Sequence, residues 1–264
     1  MKKKISIIIP VFNELNRIPK TLEKIFQWIK NNKWKDISID VNIVDDGSTD
    51  GTVVFIKKYK KFKINLLKKK HTGLMSTIIY GLNKIKSDFY IIIAADCPVD
   101  LKFLNNFFGY LQDYEIIQGS RYLKQKSIFP RHERPLSRVL LSVALSNLFI
   151  FFFSCKIRDP QIDFKIFSRA VVKNIIPNLI SRHDGLKMTE IIIRAHAQNY
   201  KILEKKTTYN YIDSKRLVPN LNIKEFFKFI KIASTCFCAF INLIFIYRNE
   251  FKLKKIKKNP LRFL

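Results

Sequence analysis

Two adjacent acids, Asp45 and Asp46, close the apolar run ISIDVNIV and are followed by Gly47, Ser48, Asp50 and Gly51. Turn-forming residues after a carboxylate pair suit a tight turn into a helix, where one Asp caps the turn and the other reaches a ligand's N–H or hydroxyl groups. An Asx turn with no ligand contact reads the same in isolation. Upstream, Pro10, Val11, Asn13 and Glu14 leave another apolar run, ISIIIPVF. Open α/β sheets take their ligands on loops that leave the carboxyl ends of parallel strands, so both exits are candidate binding loops. Other chemistries find little support. His71, His132, His183 and His196 form no HExxH pattern, and Cys97, Cys155, Cys236 and Cys238 form no CxxC pattern, which argues against zinc and a disulfide framework. No P-loop, GxGxxG or GxSxG occurs, which argues against kinase, dehydrogenase and hydrolase chemistry.

The elements that must position these residues alternate β-branched runs with amphipathic patterns, the sequence form of βαβ units. The pattern predicts strands over 5–11, 39–45, 64–67, 90–94 and 115–119, and helices over 14–31, 52–59, 74–85 and 101–111. Nearly continuous apolarity in ISIIIPVF and YIIIAA predicts strands covered on both faces. With 264 residues, 47% hydrophobic content and only 7 Gly, the chain is neither disordered nor collagen-like. It is long enough for one large domain, or a domain plus an appendage. A net charge of +28 points to an anionic partner. The basic residues are dispersed without a recognition motif, which argues against nucleic acid.

From residue 134 the character changes. Seventeen uncharged residues run from Val139 to Cys155 and sixteen from Ile232 to Tyr247. Both fall short of the roughly 20 that span a bilayer comfortably. The first reads equally as a buried helix or a membrane-associated one. The second, between KEFFKFIK and RNEFKLKKIKK, reads as a helix lying on or dipping into an anionic membrane surface, unless flanking Phe and Ile or a homo-oligomer extend its reach.

The two strand exits together resemble the opening of family 2 glycosyltransferases of the GT-A fold: a strand, P-x-x-N-E, then a strand ending in D-D-G-S-x-D-x-T. Here these are Pro10, Asn13 and Glu14, then Asp45, Asp46, Gly47, Ser48, Asp50 and Thr52. The resemblance implies a nucleotide-sugar site on this half, UDP- or GDP-linked, with Asp46 contacting the base. Gly73 and Gly81 match the family's glycine-bearing helix. The family's D-x-D metal motif is present only in part: the triplet is Ala94, Ala95, Asp96, so Asp96 is left as one carboxylate for Mg²⁺ or Mn²⁺. Asp100, just before LKFLNNFF, reads as a helix cap, with substitution as a metal ligand the alternative.

Further on, Gly119, Ser120 and Arg121, then Arg138 and Ser142, match the G-S-R and R-x-x-x-S segments of polyprenyl-phosphate glycosyltransferases. Asp159, Gln161, Phe164, Lys165 and Phe167 match the D-T-Q-C-G-F-K-L-F segment of dolichyl-phosphate glucosyltransferases, with Pro160 and Asp163 as departures, the latter replacing a Gly. Glu190, Glu204, Ser214 and Lys215 match later positions. The resemblance implies that Arg121, Arg138 and Lys215 hold an acceptor phosphate, paired guanidinium bonds suiting phosphate oxygens. It covers about residues 4–220. The expected organisation is a GT-A α/β domain over 1–220, with a mainly parallel sheet and helices on both faces. An apolar, amphipathic helical appendage with a basic tail follows over 221–264. The expected activity is inverting sugar transfer to a polyprenyl phosphate at the cytoplasmic face of a membrane, in glycan biosynthesis, with Asp96, Arg121 and Arg138 at the reaction centre. Transfer to a saccharide hydroxyl would need a carboxylate base that the sequence does not single out. A non-catalytic sugar-nucleotide-binding homologue is the third reading.

Overall fold

The computed structural model describes residues 2–32, 34–121, 123, 147, 150–181, 184–207, 241–245 and 247–248. Arg138, Ser142, Ser214 and Lys215 lie outside the described residues, as does most of 221–264. Two compact units are formed, one by Met1–Arg121, Ile162–Asn178 and Lys201–Ile212, the other by Tyr122–Gln161, Leu179–Tyr200 and Asp213–Leu264.

The first unit is built on a seven-stranded sheet of β1 (Lys3–Val11), β2 (Ile37–Asp45), β3 (Ile64–Lys68), β4 (Phe89–Ile92), β5 (Ile116–Ser120), β6 (Lys165–Ser168) and β7 (Ile202–Lys206), ordered β3-β2-β1-β4-β6-β5-β7. Strand β1 lies between β2 and β4 and is parallel to both, with Val11 opposite Asp45 and Ile8 opposite Ile92. Its residues 5–11 are all buried, so it is covered on both faces as its continuous apolarity predicts. Side chains alternate along a strand. Ile5, Ile7, Ile9 and Val11 join a core with Leu22 and Ile25 of α1 (Ile18–Asn31) and Leu104 and Phe107 of α4 (Lys102–Phe108). Ile8 points to the other face, toward Gly81 of α3 (Leu74–Lys84).

Several boundaries differ from the sequence pattern. Helix α1 starts at Ile18 rather than residue 14, because the Glu14 carbonyl accepts from Arg17 and Ile18 N–H in a separate turn and Pro19 sits in the first helical turn. Strand β4 stops at Ile92, where the chain enters a turn closed by Cys97 N–H on the Ala94 carbonyl. The sequence pattern marks neither β6 nor β7. The first, only four residues long, is antiparallel to both β4 and β5, whereas β5 and β7 are parallel. Running antiparallel to β6, β4 and β5 point the same way. The carboxyl ends of β1, β2, β4 and β5 therefore share one edge with the amino end of β6.

In the second unit, α6 (Asp184–Ala197) follows α5 (Arg169–Asn174) of the first in sequence. Its Glu190 is buried, pairs with Arg194 at 2.7 Å and accepts from Ile180 and Ser181 N–H at 2.9 and 2.8 Å, a structural use of that acid. Residues 150–153 and 241–245 are helical, and the Tyr247 hydroxyl donates to the Phe153 carbonyl at 3.3 Å with the two rings edge to face. No helix among the described residues is long and apolar enough to cross a membrane.

Candidate functional site

At the carboxyl edge of the sheet the exits of β1 and β2 are tied together. Asn13, whose φ of 55° turns the chain sharply, donates its N–H to Ser48 Oγ at 2.9 Å and accepts Thr49 N–H on Oδ1 at 2.8 Å. Glu14 N–H donates to Thr52 Oγ1 at 2.9 Å, and Leu15 N–H to Asp50 Oδ2 at 3.1 Å. Burial, the largest single influence on the Asp50 carboxyl, pushes it up. Bonds from the Thr52 hydroxyl and the Leu15 and Thr52 amides outweigh that and hold it below its ordinary range. The two motifs thus form one cross-braced loop pair, which explains why their residue types recur at separated positions.

The two adjacent acids have separate tasks. Asp45 accepts Gly47 and Ser48 N–H at 3.3 and 3.1 Å and closes the turn. Gly47, with φ 84°, packs so closely under His71 that an added Cβ would lie 3.2 Å from the His71 nitrogen. Asp46 is buried and gathers the loop after β3. Its carboxylate accepts Thr72 N–H at 3.0 Å, Gly73 N–H at 2.9 Å and the Lys69 ammonium at 2.5 Å, with His71 Nδ1 at 2.8 Å. Burial pushes its carboxyl up. The bonds from Lys69, Thr77, Gly73 and Thr72 more than offset this and lower it, so Asp46 is a fixed anion at neutral pH. Phe12, 42% exposed, stacks on the His71 ring at 4.1 Å, which puts an aromatic surface beside this carboxylate. Phe12, Lys69, Thr72 and Thr77 are site residues that motif spacing does not single out.

Asp96 follows β4 in a turn braced by the Thr21 hydroxyl on the Ala95 carbonyl at 2.7 Å, with φ 42° at Cys97. Burial pushes the Cys97 thiol up to about 11; Lys24 opposes this and the Asp96 and Asp100 carboxylates add to it. Asp100 Oδ1 accepts Lys102 N–H at 3.0 Å, the helix-entry role expected of it. Beside the turn is a small, open, mainly apolar hollow lined by Ile93, Ala94, Pro98, Val99, Leu101, Asp163 and Phe164. Among the described residues no group of three or more His, Cys, Asp or Glu converges. Mg²⁺ bound with nucleotide phosphates needs only one or two protein carboxylates, and Asp96, in the turn that follows β4, supplies one hard-oxygen group for an ion completed by phosphate and water.

Gly119 and Ser120 end β5, and Arg121 follows them at the same sheet edge. A Cβ on Gly119 would lie 2.7 Å from Thr207 Oγ1, so only glycine fits there. Lys165 is fully buried and its ammonium donates to the Ile162 carbonyl at 2.5 Å, fixing the segment that leads into β6. Gln118 Nε2 donates to Glu204 Oε1 at 3.2 Å, tying β5 to β7. The structure therefore brings Pro10, Val11, Asn13, Glu14, Asp45, Asp46, Ser48, Gly73, Asp96 and Arg121 to one edge of the sheet.

Comparison with known proteins gives a consistent picture. The sequence model of Glycosyl transferase family 2 matches residues 6–176. A dolichyl-phosphate beta-glucosyltransferase of Trichomonas vaginalis is 28% identical over 240 residues, 87% of this chain and 72% of the relative. One of Dictyostelium discoideum is 27% identical over 229 residues, 81% of this chain and 69% of the relative. Among solved structures, Mycobacterium tuberculosis glucosyl-3-phosphoglycerate synthase, in complex with Mn²⁺, UDP and phosphoglyceric acid, aligns with a TM-score of 0.61 at 13% identity, over 92% of this chain and 78% of that one.

Proposed function

The chain belongs to glycosyl transferase family 2 and is a nucleotide-sugar glycosyltransferase; from that premise we propose that it moves a hexose from a UDP-linked donor to a dolichyl-type polyprenyl phosphate. The observation that carries the donor half is the cross-braced pair of strand exits that presents the Asp46 carboxylate beside the Phe12–His71 stack. The acceptor half is supported by dolichyl-phosphate glucosyltransferases aligning over more than four-fifths of the chain.

In this reading Asp46 accepts from the base, Pro10, Val11, Asn13, Glu14, Asp45, Ser48 and Gly73 shape its loops, and Arg121, with Arg138 and Lys215, holds the acceptor phosphate. A phosphate monoester is largely ionised near pH 7, its second pKa lying near 6, so cations that hold it serve better than a base that activates it. One of its oxygens attacks the anomeric carbon, the bond from that carbon to the donor diphosphate breaks, and UDP leaves with inversion. Asp96 is the residue that would hold Mg²⁺ or Mn²⁺, whose chemistry there is neutralisation of the departing diphosphate. Residues 1–220 would form the transferase domain and 221–264 a membrane-associating segment, with the protein on the cytoplasmic face of a membrane. The Lys-rich flanks of the apolar stretch support that placement.

The test is incubation of the full chain with UDP-glucose and a polyprenyl phosphate, reading UDP release and the glycolipid by mass spectrometry. Release should require both substrates. Turnover with a saccharide acceptor and none with lipid phosphate would overturn the acceptor assignment.

A further inference from the structure

The acceptor capacity of Asp46 is already in use. An ionised carboxylate accepts at about four lone-pair sites. Oδ1 takes the Lys69 ammonium at 2.5 Å and Thr72 N–H at 3.0 Å, while Oδ2 takes Gly73 N–H at 2.9 Å and the His71 ring at 2.8 Å. Because the ionised acid only accepts, His71 Nδ1 carries the proton in that contact. Three of these donors are fixed in place. The two amides belong to the backbone that enters α3, and Lys69, 12% exposed, also donates to the Lys70 carbonyl at 2.7 Å and to the Thr72 hydroxyl. His71 differs, with a side chain 58% exposed. Its backbone is held against Gly47, where an added Cβ would lie 3.2 Å from the His71 nitrogen, so the part able to turn away is the ring.

That ring makes two contacts: one face lies on Phe12, with centroids 4.1 Å apart, and its N–H meets a buried carboxylate. A uracil ring has the same two features, a flat π face and an N3–H on its edge. We propose that His71 occupies the base position of the donor site, and that the uracil of the nucleotide takes its place on Phe12 and Asp46 while the imidazole swings out to solvent. The inference rests on the donor reading above and adds to it what the base displaces. The buried anion supplies the physical reason. With no base bound, its remaining lone pair needs a donor, and the imidazole is one. A base sharing the carboxylate would be a fifth donor on about four sites, so the exposed donor leaves. Apparent UDP affinity is then the intrinsic affinity multiplied by the fraction of molecules whose ring is turned out.

The experiment titrates the full chain and His71→Ala with UDP by calorimetry in buffer containing Mg²⁺, and follows the imidazole signals of the parent by nuclear magnetic resonance with ¹³C-labelled histidine. The His71 signal is the one missing from His71→Ala or His71→Gln. UDP should move it to the position of a solvent-exposed imidazole, and Overhauser contacts should join the uracil protons to the Phe12 ring. Pyrophosphate, which has no base, should leave the signal where it is. His71→Ala should bind UDP about threefold or more tighter, because its base position stands open. Weaker or unchanged UDP binding in a folded His71→Ala overturns the proposal while UDP binding stands. So does a His71 signal that UDP leaves in place, or one that pyrophosphate moves equally, and these two readings need only the parent to be folded. Failure of the parent chain to bind UDP overturns the donor reading itself, and this inference with it.

Discussion

Asp46 is held by four neighbours from one short loop, so its charge and the order of residues 69–73 are a single property. A nucleotide base that takes this carboxylate must share it with His71 or displace it. Asp46→Asn, which keeps the shape and removes the charge, should weaken UDP binding about tenfold or more, because bonds to charged groups contribute about 1.5–3 kcal/mol. Calorimetric titration with UDP checks this. The pH dependence has a definite sign. The folded carboxyl lies below its ordinary value of 3.8, so its stabilising contribution is full above that value and is lost as pH falls through the lower folded one. The difference in melting temperature between the parent and Asp46→Asn should therefore stay constant above about pH 5 and shrink only in acid. Asp46 is legible in the sequence because turn chemistry surrounds it. Lys69 is not, since it sits in the run KKKH, where any lysine could be a solvated one.

Among the elements, α3 shows how the sheet sets the site's floor. Gly81 faces β1 and β2 so closely that a Cβ there would lie 2.9 Å from Val44 Cγ2 and 3.1 Å from Ile8 Cγ2. Gly81→Ala gains up to about 1 kcal/mol of helix propensity and meets two stiff β-branched side chains. Overpacking of a closed core costs about 1–3 kcal/mol, so net destabilisation of about 1 kcal/mol is expected, read by urea denaturation with unchanged slope. Strands β1 and β4 are legible because their nearly continuous apolar runs, ISIIIPVF and YIIIAA, stand out from the amphipathic stretches around them. KIFS and ILEKK are not: four or five residues give too little periodicity, and the Lys165 that looks solvent-directed is fully buried. Their pairing is decided by tertiary partners, a fact no local window contains.

On the scale of the whole molecule, the charge of +28 acquires a direction only when joined to exposed apolar groups. In the second unit Phe151 is 78% and Phe245 67% exposed, while Phe153 and Leu243 beside them are buried. Helical residues from two separate apolar stretches thus share an inner packing contact and each present an outward Phe. Such rings suit the headgroup boundary of an anionic bilayer, with lysines adding about 1 kcal/mol each near its surface. Phe151→Ser and Phe245→Ser should each reduce flotation with phosphatidylserine vesicles about tenfold, on the scale of about 1.5 kcal/mol or more per buried Phe. Melting temperature should be unchanged, and high salt should lower flotation of all three chains. Flotation unaffected by either substitution, or no flotation of the parent, would overturn a membrane role for these rings.

The order of strands in the sheet also sets a timetable. The sequence from β1 to β4 supplies a complete β3-β2-β1-β4 half-sheet, but the outer edge of β4 finds its partner only in β6, 73 residues after Ile92. At about 5–20 residues per second of synthesis, that edge waits about 4–15 s. During this interval a nascent chain carries an unpaired, strongly apolar strand, the arrangement most open to pairing with a neighbour. Completion of the carboxyl edge, with Arg121 and the residues leading into β6, is therefore a late event of biogenesis, and β7 closes the sheet last.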